Sequence, residues 1–106
     1  MTIDGVSQTT GTERLVAIEP DSAGVRLTIS DRKGNAELAH VGFVANALMT
    51  VLTDVPPGPQ TIAGADGRVL TVEVNRNEVL LTVGAPDAAV GLDDLLDALA
   101  EALPPT

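Results

Sequence analysis

Apolar residues recur along this chain at two periods, and the switch between them marks out the expected elements. Over residues 25–30 the alternation is strict, with Val25, Leu27 and Ile29 on one side and Arg26, Thr28 and Ser30 on the other. A period of two is the mark of a half-buried antiparallel strand. A preceding strand over residues 14–18 is joined to it by Glu19-Pro20-Asp21-Ser22-Ala23-Gly24, where proline fixes φ and glycine admits a positive one. After a second turn at Asp31-Arg32-Lys33-Gly34, Asn35 reads as an N-cap, and Leu38, Val41, Ala45, Leu48, Met49 and Leu52 return at helical spacing. This pattern predicts a helix over residues 36–53, stopped by Val55-Pro56-Pro57.

Three short strands are expected next, over residues 61–63, 69–74 and 79–83. Asp66-Gly67 is a hairpin signal in which both residues take positive φ, and Asn75-Arg76-Asn77 suits a second short loop. Residues 84–91 read as a connector. A final helix over residues 92–103 carries Leu92, Leu95, Leu96, Leu99 and Leu103 on one face and Asp93, Asp97 and Glu101 on the other, and Pro104-Pro105 ends it. No internal repeat is visible. The expected fold is therefore α/β (α+β): a two-layer sandwich of a mainly antiparallel five-stranded sheet and two helices, in the order β-β-α-β-β-β-α. Residues 1–12, polar and without a period, read as a flexible arm, and residues 13–106 as a single domain.

Charge narrows the partners. Fifteen acidic residues against six basic ones give a net charge of −9, so nucleic acid and anionic membrane are disfavoured. After Arg76 the chain carries six carboxylates and no Lys or Arg, which reads as a solvated acidic face or a docking surface for a basic partner. Phe43 is the single aromatic residue, which counts against base-stacking platforms. The chain has no cysteine, so disulfides and thiolate chemistry are excluded. The N-terminus shows no signal-peptide pattern and no apolar run spans a bilayer, so a cytoplasmic location is expected.

Candidate chemistry is sparse. His40 is the single histidine, and no Gly-x-Ser-x-Gly elbow brings a serine beside it. Asp93, Asp94 and Asp97 lack the order of a calcium loop, and the glycines stand singly at turns rather than in a phosphate-cradling run. No catalytic, cofactor or metal site is assigned. One feature is less bland. On the expected helix Phe43 lies off the apolar stripe, flanked by Ala39 and Ala47 and surrounded by Asn46, Thr50 and His40. Either residues 55–60 fold over this seam, or it is an interaction surface for a second copy or a protein partner. The leading expectation is a non-enzymatic interaction or scaffold module that self-associates through the 36–53 helix. The alternatives are a small-ligand binder or minor enzyme with a pocket between helix and sheet near His40 and Ser30, and a structural subunit of a phage or secretion assembly.

The stretch from Ala36 to Leu52, the following meander, and Gly91-Leu92 opening a terminal helix together give an element order that resembles the roadblock/LC7 family without its leading helix. That resemblance implies a homodimer built from the central helix and an adjacent strand, acting as a non-catalytic regulator or scaffold. It is a likeness of element order and carries over no site residues.

Overall fold

The computed structural model describes residues 2–22 and 24–102. Eight antiparallel strands and two helices follow in the order β1 (Thr2–Val6), β2 (Glu13–Asp21), β3 (Gly24–Asp31), β4 (Glu37–Phe43), α1 (Ala45–Asp54), β5 (Gln60–Ala63), β6 (Val69–Asn75), β7 (Glu78–Val83), β8 (Asp87–Gly91) and α2 (Leu92–Ala102). The strands form one sheet in the order β4-β3-β2-β1-β8-β7-β6-β5, rolled until it is nearly a barrel. The five-stranded two-layer sandwich and its β-β-α-β-β-β-α order are thus overturned. The likeness to roadblock topology falls with them.

Three elements account for the difference. The 1–12 arm is corrected first: Thr2–Val6 is a strand, bonded to β2 on one side and meeting β8 at Val6–Ala89 on the other. Its alternation is short but real, with Ile3 and Gly5 buried and Asp4 and Val6 exposed. Met1 lies outside the described residues. Second, the expected 36–53 helix is a strand followed by a shorter helix. The segment also fits period two: Ala39, Val41 and Phe43 pair with Ile29, Leu27 and Val25 of β3. Forming that ladder buries Val41 and Phe43 inside the sheet, and tertiary pairing overrides the helical spacing. Asn35 is not a cap but a turn residue at φ 54°, and Val44 precedes α1 with no side-chain capping bond. Third, the 84–91 connector contains β8, a strand disguised by its alanines and by Asp87.

Other expectations hold locally. Asp66 and Gly67 both take positive φ (60° and 73°), in a short 3-10 turn rather than a two-residue hairpin. At the next hairpin the positive φ falls on Arg76. Helix α1 stops at Val55, in the left-handed region before Pro56, with its N–H on the Val51 carbonyl. A β-branched residue there is strained. Helix α2 buries Leu95, Ala98, Leu99 and Ala102, and leaves Asp93, Asp97 and Glu101 exposed. Ala23, Leu103 and Pro104-Pro105 lie outside the described residues.

The second half of the molecule repeats the first. Each half is a four-stranded meander followed by a helix, and the registers coincide. Ile3–Val16–Ile29 across β1–β3 corresponds to Ile62–Leu70–Val83 across β5–β7. Ile18–Leu27–Val41 corresponds to Val72–Leu81–Ala88, and Val25–Phe43 to Val79–Val90. Leu48 and Leu52 of α1 match Leu95 and Leu99 of α2, all four buried. Identical residues stand at several equivalent places: Thr2 and Thr61, Ile3 and Ile62, Gly5 and Gly64, Arg14 and Arg68, Leu27 and Leu81. All inward side chains, with those of both helices, form one core.

The two halves meet at two seams related by the repeat. At one β1 pairs with β8; at the other, near the sheet edges β4 and β5, which no ladder joins among the described residues, the 65–67 turn lies against β4. At the β1–β8 seam, a Cβ on Gly5 would lie 2.9 Å from the Ala89 carbonyl. At the β5–β4 seam, a Cβ on Gly64 would collide with Val41 Cγ2 and lie 2.8 Å from the Gly42 carbonyl. Ala89 and Gly42 are counterparts in the repeat, so one packing solution is used twice. Glycine is required in both because backbone approaches backbone. Replacing Gly64 by alanine should cost about 1–3 kcal/mol, because the buried Val41 side chain would have to shift and the Gly42 carbonyl behind it cannot move aside. Thermal denaturation of Gly64→Ala should accordingly show a Tm at least about 4 °C below wild type, and an unchanged Tm would mean that the seam is not this tight.

Candidate functional site

The residues singled out from the sequence do not form one surface. Phe43 is 2% exposed and packed in the core of its own chain. Ala39 shares its inward face on β4 and is half-buried. Ala47 and Asn46 stand on α1, half-buried and exposed respectively, and the Asn46 carbonyl accepts from Thr50 Oγ1 at 2.9 Å. The small-Phe-small seam therefore does not exist as a helix stripe, and the argument for self-association through it lapses. His40 is on the outer side of β4 opposite Thr28, its Nδ1 2.9 Å from Glu37 Oε2. Ser30 is opposite Glu37, on the same outer side, so neither faces a space between helix and sheet.

Two places carry polar or void features that the sequence did not announce, one beside each seam. The first is a latch. Loop residues 7–12 fold against the start of β8, where Asp87 is 6% exposed. Ser7 Oγ, itself buried, donates to Asp87 Oδ1 at 2.7 Å, and the Gln8 backbone N–H donates to Oδ2 at 2.8 Å. Gln8 Nε2 continues across to Glu78 Oε1 at 3.2 Å. Burial pushes the Asp87 pKa up, but the bonds from Ser7, Gln8 and Thr9 more than offset it and hold the carboxyl below its ordinary value. An acid within the apolar 84–91 stretch was the available sequence signal.

The second is a slot beside the other seam. It is a half-open slot of about 290 Å³ between Ala39 of β4 and Gly67, Arg68, Val69, Val83 and Gly84 at the ends of β6 and β7. Arg68 lies at its edge, and its Nη1 donates to the His40 carbonyl at 3.2 Å. The repeat explains why the slot is open. Residues 6–13 separate Gly5 from Arg14 at the first seam, and loop 7–12 folds back onto β8 there. Only residues 65–67 separate their counterparts Gly64 and Arg68, and this shorter turn lies against β4 and supplies Gly67 to the slot wall without filling it. A second hollow of about 210 Å³ lies on the β1–β8 seam, lined by Gly5, Val6, Ala89 and Val90 with Asp4, Glu13, Arg32 and Glu78 around it, and there Arg32 pairs with Asp4 at 3.3 Å. Among the described residues no group of three or more His, Asp or Glu side chains could hold a metal ion, and no helix is long and apolar enough to cross a membrane.

The latch makes a pH-dependent prediction. A folded pKa below the ordinary aspartate value of 3.8 contributes stability that is complete above that value and is lost as pH falls through the folded pKa. Asp87→Asn should cost about 1–3 kcal/mol at pH 7, since two charge-assisted bonds in a buried place are weakened. In urea denaturation the gap between wild type and Asp87→Asn should narrow as pH drops below 3.8; a gap independent of pH would contradict the latch. Comparison with known proteins finds no family model, no curated protein and no solved structure that matches this chain.

Proposed function

We propose that this protein is a non-enzymatic binding module whose working surface is the slot between β4 and the β6–β7 end. The observation that carries the reading is a mainly apolar slot of about 290 Å³ beside the 65–67 turn, with Arg68 as the single charged side chain of its lining. Its volume is at the lower end of small-molecule sites. The chemistry around it supports holding rather than converting a ligand. Its walls are Ala39, Val69, Val83 and two glycines, with Arg68 as the one charged side chain. The nearby imidazole of His40 is engaged by Glu37 on the outer side of β4. The most buried hydroxyl and carboxylate, Ser7 and Asp87, bond each other at the opposite seam. Self-association through a 36–53 helix is not part of this reading, because residues 37–43 are a strand.

The test is a thermal-shift screen of small molecules on wild type and Ala39→Leu, a substitution that fills the slot from its β4 wall. A ligand present at a hundred-fold excess over its Kd should stabilise wild type by about 2.7 kcal/mol, and Ala39→Leu should lose the shift. Ligands that shift both proteins equally would place binding elsewhere, and a screen without hits would remove the reading.

A further inference from the structure

We propose that the slot selects a small apolar carboxylate, a short-chain acid whose carboxylate is held by Arg68. This inference rests on the binding-module reading above and names its ligand class. Two independent features converge on it. The slot is half open and walled by Ala39, Val69, Val83 and backbone, and its volume of about 290 Å³ is room for a short apolar body. Arg68 supplies the single charged side chain of the lining.

That guanidinium is preorganised and uncommitted. One N–H group is anchored on the His40 carbonyl, which fixes the planar fork at the edge of the slot. Among the described residues its other N–H groups have no acceptor, whereas Arg26 and Arg32 are paired with Glu19 and Asp4. The nearest acid on β4, Glu37, is engaged by His40 at 2.9 Å. Its counterpart in the repeat behaves differently: Arg14 is drawn inward and half-buried, and its Nε finds no partner. The Arg68 fork instead remains exposed beside an apolar void, the arrangement in which bidentate carboxylate bonds form.

The whole-molecule field cannot produce this preference. With a net charge of −9 the protein attracts cations and repels anions at long range, so selectivity for an anion has to come from a local group. This makes a three-ligand comparison decisive. Calorimetric titration with octanoate, 1-octanol and octylamine holds the apolar body nearly constant and changes the head group. Wild type should bind octanoate with a Kd below about 1 mM, more tightly than octanol or octylamine. Arg68→Gln, which keeps a donor for the His40 carbonyl, should weaken octanoate about ten-fold and leave octanol unchanged. Val69→Glu provides a second variant at a position 46% exposed, and should weaken octanoate more than octanol; circular dichroism confirms that both variants fold. Octanoate binding unaltered by either substitution would overturn the assignment of Arg68. Octanol or octylamine bound as tightly as octanoate would overturn the anion class while leaving a binding slot. Failure of all three ligands on wild type would overturn the proposal, and the library screen then decides separately whether the slot binds anything.

Discussion

Two glycines, Gly5 and Gly64, stand where strands from opposite halves of the molecule come closest, each facing a backbone carbonyl of the other half. Each half is a four-stranded meander followed by a helix. The helices cross over, α1 packing on β5 and α2, and α2 on β1 and β2 as well as β7 and β8, so neither half buries its apolar face alone. Closing the two halves on each other solves that problem once for both. Val16, Ile18, Leu27 and Ile29 then share one core with Leu70, Leu81, Leu95 and Leu99, all fully buried. The approach depends on the missing side chains at the seams, since a Cβ at either position meets backbone that cannot retreat.

The repeat also shows where the halves have diverged. At the β1–β8 seam the loop over residues 7–12 is long enough to lie against β8, and Asp87 collects its donors. At the β5–β4 seam a three-residue turn lies against β4, and Arg68 reaches across to the His40 carbonyl. Equivalent arginines, Arg14 and Arg68, consequently sit in different surroundings. The functional reading follows from a difference in lining rather than from any motif: the hollow at the β1–β8 seam is ringed by Asp4, Glu13, Glu78 and an Arg32 paired with Asp4, whereas the other seam keeps a mainly apolar slot with Arg68 beside it.

Much of the chain could be read from its pattern, and the misreadings share a cause. The strands with clean alternation, around Leu27, Val72 and Leu81, and the leucine face of α2 stood out because one period dominates each. Residues 36–43 satisfy both helical and strand spacing, and the choice is made by β3, which offers partners for Ala39, Val41 and Phe43. Strands β1 and β8 are five residues each and carry Asp4, Gly5, Asp87 and several alanines. Local preference alone does not mark such segments as strands; pairing with their neighbours does. The repeat is faint for a similar reason, as Thr-Ile-x-Gly and Val-x-Leu-Thr recur but loops of unequal length shift the spacing between them. The slot and the Ser7–Asp87 latch join residues far apart in the chain, so no local signal could place them.

The claim on which the rest turns is that Thr2–Val6 is an integral strand joining the two halves, not an arm. Native-state hydrogen exchange tests it most directly. Backbone amides of β1 that bond to β2 should exchange only through global unfolding, with the same free energy as amides of β3 and β7. Exchange of those β1 amides through local opening, while β3 and β7 stay protected, would contradict the account.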